Sequence, residues 1–176
     1  YKRATGPRRN FKDVWNTHVM EDGVYFQANE WLFRWDGTEI NSWTSRGRFH
    51  TSFAVNEQLY VRDDERGLLR MEDDSLTLAP GGSAFSGTPI YMMAPHPSGS
   101  LLIATQNKGL QLYDDWALRA LSPELTSYLR KHDLYHGCEL PGNRYALATL
   151  RGGVLVIGAD GHPLRVLDEA AGLPDP

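Results

Sequence analysis

Four stretches of this chain repeat one order of apolar and polar positions. Residues 23–43 read GVYFQANEWLFRWDGTEINSW, 58–80 read QLYVRDDERGLLRMEDDSLTLAP, 100–123 read SLLIATQNKGLQLYDDWALRALSP, and 144–168 read RYALATLRGGVLVIGADGHPLRVLD. Each opens with an apolar strand: Val24-Tyr25-Phe26, Leu59-Tyr60-Val61, Leu101-Leu102-Ile103 and Tyr145-Ala146-Leu147. A polar turn follows, and three copies re-enter a strand at a glycine, in Gly67-Leu68-Leu69, Gly109-Leu110-Gln111 and Gly153-Val154-Leu155. The first copy has Trp31-Leu32-Phe33 there, without the glycine. An acidic turn comes next (Asp36-Gly37, Asp73-Asp74, Asp114-Asp115, Asp160-Gly161), and then a last strand such as Ser75 to Leu78 or Leu164 to Leu167. One more strand-like piece precedes each copy: Trp15 to Met20, Ser52 to Val55, Ile90 to Ala94 and Leu134 to Leu140.

The first apolar strand recurs at residues 24, 59, 101 and 145, spacings of 35, 42 and 44. Four antiparallel strands at such a period predict the blades of a β-propeller. Asp-Gly supports a tight hairpin turn, and no stripe of 3.6-residue period argues for a helical solenoid. The expected fold is all-β: four four-stranded blades over about 14–50, 51–88, 89–132 and 133–176, after a basic leader at 1–13. The stretch from Ser122 breaks the pattern. Ser122 is a plausible N-cap with Pro123 at the first helical position, which predicts a short helix running to Lys131.

Composition adds little. Hydrophobic residues at 41% and charged residues at 23% are ordinary for a soluble globular protein, and the aromatics suit strands. The net charge of −4 argues against a nucleic-acid partner. The leader, with Lys2, Arg3, Arg8, Arg9 and Lys12, is the basic exception and reads as an exposed arm. Cys138 stands alone, which rules out an intramolecular disulfide and leaves the compartment undetermined. No membrane-length apolar run or secretory signal is present. The missing initiator Met suggests a piece of a longer protein.

The blade wording resembles the two-component regulator propeller family. The matching residues are Leu101-Leu102-Ile103-Ala104-Thr105 with Gly109-Leu110, Leu147-Ala148-Thr149 with Gly152-Gly153, and the closing Gly172-Leu173-Pro174-Asp175. The second blade departs from the pattern, with Arg62-Asp63 in place of Ala-Thr, and no blade keeps the Trp that often precedes the motif. The resemblance implies a periplasmic or extracellular sensor region of a membrane-anchored bacterial receptor. Its histidine kinase or diguanylate cyclase output module would lie beyond a membrane helix, so membrane contact is expected only through flanking regions. It also implies more blades than four, making this segment part of a larger propeller. Bare blade faces and edges at its ends would favour self-association, for example two arcs completing one ring, or a partly open arc.

Each group of residues that could carry chemistry also has a structural role open to it. The aligned acid pairs could serve a glycosidase, but their fixed place in every repeat assigns them to turns. His132, His136 and Cys138 could hold a metal. Because a helix end and a new strand fall among them, the expected reading is instead a polar inter-blade loop with a buried Cys138. Most of the tryptophans (Trp15, Trp31, Trp35, Trp43 and Trp116) are expected to pack between blades. No nucleophile elbow or phosphate cradle appears, and neither cofactor nor metal is expected. Asn107, Lys108 and Arg151, in equivalent turns of one propeller face, are the candidate ligand-binding residues. The expected function is a non-catalytic ligand-sensing or interaction module for a small molecule or oligosaccharide. The rivals are a propeller-type glycoside hydrolase or lyase and a purely structural oligomerisation scaffold.

Overall fold

The computed structural model describes Asp13 to Leu173. The basic residues of the leader and the Pro174-Asp175 end of the link lie outside the described residues. The chain divides into two compact units, one ending at Gly87 and the other starting at Thr88.

Unit 1 holds two four-stranded antiparallel sheets in sequential order. Blade 1 comprises β1 (Val14–Met20), β2 (Gly23–Ala28), β3 (Trp31–Trp35) and β4 (Ile40–Thr44). Blade 2 comprises β5 (Phe49–Val55), β6 (Gln58–Asp63), β7 (Gly67–Glu72) and β8 (Ser75–Leu78), followed by a 3-10 turn at Gly82–Phe85. Unit 2 repeats the arrangement. Blade 3 comprises β9 (Ile90–Pro95), β10 (Leu101–Thr105), β11 (Gly109–Tyr113) and β12 (Leu118–Ala120). After α1 (Pro123–Lys131), blade 4 comprises β13 (Leu134–Leu140), β14 (Arg144–Thr149), β15 (Val154–Ile157) and β16 (Pro163–Leu167). Among the described residues the fold is therefore all-β, four propeller blades with one α-helix. The expected strands and the helix from the Ser122 cap appear in place; β5 begins at Phe49, so an edge at residue 50 would cut its first strand.

Side chains alternate between the two faces of each sheet, and directly paired residues share a face. One face of blade 1 carries Tyr25 and Leu32, which join Leu59, Val61 and Leu69 of blade 2 in one core. In unit 2, Leu102, Ala104, Leu110 and Leu112 of blade 3 meet Tyr145, Leu147, Leu155 and Ile157 of blade 4 in the same way. Within each unit the first blade thus turns a forward face to the second, which meets it with a rear face, and the same names serve for the equivalent faces of every blade. The helix α1 adds Leu125 and Leu129 to the second core, its apolar residues lying one turn apart on one side.

The aligned acidic turns are structural. Asp36 Oδ1 accepts from the Thr38 and Glu39 amides at 2.8 Å each, Asp114 Oδ1 from the Ala117 amide at 2.8 Å, and Asp160 Oδ1 from the His162 amide at 3.0 Å. The amides of Glu39 and Thr38 hold the Asp36 carboxyl down to about 2. Asp73 and Asp74 instead occupy left-handed conformations themselves, with φ of 45° and 59°, as a two-residue hairpin turn requires. Asp74 also binds Arg34 at 2.6 Å, which fastens blade 1 to this turn of blade 2. The Arg34 guanidinium lies 5.7 Å from the Trp43 ring, and Trp43 stacks on Tyr25.

Two expectations about packing need correction. Cys138 is exposed, because it lies on the forward face of blade 4 and the rear face is the one packed on blade 3. Trp15 at 60% and Trp116 at 85% are also exposed: Trp15 lies where the β1–β2 pairing shifts register, and Trp116 tips the Asp114 turn.

Candidate functional site

A threonine at the end of the second strand closes each motif turn of unit 2. Thr105 Oγ1 accepts from the Lys108 amide at 3.0 Å and donates to the Gly109 carbonyl at 3.2 Å. Thr149 Oγ1 does the same with the Gly152 amide and the Gly153 carbonyl, both at 2.9 Å. This explains the Ala-Thr-x-x-x-Gly wording: a short hydroxyl in that place satisfies a donor and an acceptor of its own turn. In blade 2 the departure Arg62-Asp63 preserves the device. Asp63 Oδ1 accepts from the Glu65 and Arg66 amides at 2.9 Å each, and its Oδ2 accepts from Ser45 Oγ at 2.6 Å. Arg62, where blades 3 and 4 have alanine, is buried, pairs with Asp64 and donates to the Phe85 carbonyl.

These turns position the candidate site of unit 2. Asn107 and Lys108 are exposed in the β10–β11 turn, and Arg151 is exposed in the β14–β15 turn. The two turns meet at a residue that was not among the candidate ligand-binding residues. Asp133 accepts from Gln106 Nε2 at 2.6 Å through one oxygen and pairs with the Arg151 guanidinium through the other. The Leu150 amide also donates to the Asp133 carbonyl at 3.0 Å.

Beside Arg151 opens a cleft of about 900 Å³, lined by Tyr128 and His132 of the helix end, by Leu150 to Val154, and by Asp168 and Glu169 beyond β16. Asn107 and Lys108 are not among its lining residues. The Tyr128 and His132 rings are 4.4 Å apart, and Tyr128 OH donates to the Gly152 carbonyl at 3.0 Å. Gly152 admits His132 at this distance, since a Cβ there would lie 2.6 Å from its ring. Burial, then the Asp168 charge, push the Tyr128 hydroxyl above its usual range, so it remains a neutral donor.

The metal reading of His132, His136 and Cys138 is not supported by position. His132 packs on Tyr128, while His136 and Cys138 sit on the forward face of β13. Among the described residues no group of three or more His, Cys, Asp or Glu is placed to hold a metal ion.

Unit 1 contains a second polar constellation, at the junction of β1 and β5. Asn16 Nδ2 donates to Gln27 Oε1 at 2.8 Å and to Thr51 Oγ1 at 3.2 Å. His18 Nε2 lies 2.9 Å from Ser52 Oγ, and Gln27 Nε2 donates to the Phe49 carbonyl at 3.3 Å. Burial lowers the His18 pKa, and the Ser52 contact opposes this. At the matching positions of unit 2, Met92 and Ala94 face Gly137 in an apolar junction. The sequence did carry a signal. Gln27 and His18 stand at strand positions filled by Ala104 and Ala94 in the third repeat.

The chain resembles known proteins in fold alone. No protein-family model matches it, and no curated protein matches it. Among solved structures it is similar to the extracellular domain of BT3049 from B. thetaiotaomicron, described as a hybrid two component system, with a TM-score of 0.62 and 17% identity. The chain shares the fold of that extracellular domain. The match covers 96% of this chain and 24% of the other, so the chain spans about a quarter of that structure's length. Among the described residues no helix is long and apolar enough to cross a membrane.

Proposed function

We propose that this chain is a non-catalytic ligand-sensing module from the periplasmic or extracellular part of a bacterial two-component receptor, and that the unit 2 cleft beside Arg151 takes an oligosaccharide. The observation that carries the reading is a fold shared with an extracellular two-component domain together with a cleft of ligand size in one blade pair. The lining suits a hydroxyl-rich ligand. Arg151 offers donors, Asp168 and Glu169 offer acceptors, and the Tyr128–His132 pair offers ring surface for an apolar sugar face. Asn107 and Lys108, exposed on the neighbouring turn, would contact a ligand that extends out of the cleft. The aligned aspartates are spent on turn amides and on Arg34, which removes them as a catalytic pair.

Thermal-shift and calorimetric titration with neutral and acidic oligosaccharides tests this. Binding that raises the melting temperature, and that weakens at least about ten-fold in Arg151→Ala with folding intact, is the expected result. The absence of any shift across the panel, or hydrolysis of a glycan, would overturn it. Signalling further requires that the ligand favour one receptor state by differential affinity.

A further inference from the structure

The cleft of unit 2 carries a charge balance that narrows its ligand. Its ionisable lining groups are Tyr128, His132, Arg151, Asp168 and Glu169. Arg151 is the one cation of fixed charge among them, and Asp133 is already paired with it. Asp168 and Glu169 are exposed and have no such counter-charge among the described residues. Asp168 Oδ1 accepts from the Ala171 amide at 3.1 Å, which caps the short 3-10 turn Glu169–Ala171. Its other oxygen and both oxygens of Glu169 make no bond among the described residues. Arg130 and Lys131, in the last turn of α1, are exposed and stand outside the lining. With Arg151 neutralised by Asp133, the lining is net acidic.

The aromatic part of the lining is held rigid. Tyr128 packs against the core of unit 2 and donates its hydroxyl to the Gly152 carbonyl at 3.0 Å. His132 is tilted 37° from the Tyr128 ring, against Gly152. The Tyr128 hydroxyl is thereby committed, so this side chain offers a ligand its π-face rather than a donor. The Asp168 charge reaches it, since that charge helps push the hydroxyl above its usual range. Tyr128 lies in the last turn of α1 and His132 caps it, so the partial negative charge of a helix C-terminus is added to that of the acids. A π-face, two carboxylates and a helix C-terminus all favour a cation.

We propose that the cleft selects an amino sugar, an oligosaccharide whose protonated amine is held by Asp168 and Glu169 beside the Tyr128 ring while its hydroxyls accept from Arg151. This rests on the oligosaccharide reading above and adds to it the sign of the ligand's charge. A neutral sugar keeps the ring and hydroxyl contacts but gives the two acids nothing to pair with. A uronic acid meets them with like charge, and Arg151 already holds Asp133, so it is disfavoured. Solvent-exposed charges discriminate modestly, by about three- to ten-fold for two acids acting together with a ring.

Calorimetric titration with three trisaccharides tests this: glucosamine with its amines protonated, its N-acetylated form, and galacturonic acid. The glucosamine trimer should bind tightest, by about three- to ten-fold over the acetylated form, and the uronate weakest. An Asp168→Asn/Glu169→Gln double variant should bring the glucosamine trimer down to the acetylated one, and leave the acetylated one within about two-fold. Asparagine keeps the turn cap, and an unchanged circular dichroism spectrum checks the fold. Arg151→Ala unpairs Asp133, and should widen the preference while weakening both ligands. Glucosamine and acetylated trimers that bind alike, or a uronate that binds best, overturn the inference and leave the oligosaccharide reading standing. So does a preference that survives the double variant. Failure of all three to bind overturns the inference, and silence across the wider oligosaccharide panel overturns the reading with it.

Discussion

Gln106 and Asp133, from the motif turn of blade 3 and the linker before blade 4, are joined by a 2.6 Å hydrogen bond from Nε2 to Oδ1. The other Asp133 oxygen pairs with Arg151, so one carboxylate ties together both motif turns of unit 2. The equivalent linker residue in unit 1 is Arg48, which pairs with Asp64 of its own motif turn at 3.1 Å. The contact recurs with its charges exchanged. Asp133→Ala should cost about 1–2 kcal/mol, mostly from the Gln106 bond, because the Arg151 partner is 70% exposed. Asp133→Asn, which keeps an acceptor and tolerates the positive φ, should cost less. Urea unfolding of both variants checks this, and equal losses would contradict it.

The threonine lock makes a second prediction. Thr105 is fully buried, and its hydroxyl serves one donor and one acceptor of its turn. Thr105→Val keeps the shape and removes both bonds, and should destabilise by roughly 1–3 kcal/mol. Thr105→Ser should recover most of that. A valine variant as stable as the parent in chemical denaturation would show the lock to be decorative.

Two glycines separate backbone handedness from crowding. Gly37 has φ of 99° with nothing near its missing Cβ, whereas Gly153 has φ of 69° and a Cβ there would lie 2.0 Å from the Leu167 carbonyl oxygen. Gly37→Ala should cost about 1–2 kcal/mol, the handedness penalty alone. Gly153→Ala must also push β16 away from the motif turn, and should lose several times as much or fail to fold. Thermal melts of the pair decide it.

The polar junction of unit 1 predicts a pH dependence. Burial lowers the pKa of His18, and also that of His50, from 6.5. A folded-state pKa below the unfolded one means that the unfolded chain takes up protons first as pH falls. Stability from these groups is therefore whole above 6.5 and is lost as pH drops through that value toward the folded pKa. The urea midpoint should fall between about pH 8 and about pH 5.5, and His18→Gln should flatten part of the fall. An identical pH profile in that variant would remove His18 from the account.

Much of the fold was legible because its causes are local. The acidic turns close over two or three residues, the threonine lock over three or four, and the Ser122-Pro123 start of the helix within one turn. The departure Arg62-Asp63 was visible as a departure, but its meaning was not. Asp63 replaces a hydroxyl by a carboxylate doing the same work, and Arg62 finds Phe85 across the unit. Of the candidate ligand residues, the turns of Asn107, Lys108 and Arg151 could be read from the repeat. That only Arg151 lines the cleft could not, because the cleft also depends on the helix end and on residues beyond β16.

By itself the sequence determined the strands, their order within each blade and the chemistry of each turn, since alternation and short side-chain-to-backbone bonds act within one repeat. Tertiary structure decided which polar groups meet: Asp133 with Gln106 across 27 residues, and His18 with Ser52 across 34. It also decided that Cys138 and Trp116 face solvent. A repeat specifies the two faces of every blade, but burial depends on what is packed against each face, and that is a property of neighbours rather than of the repeat.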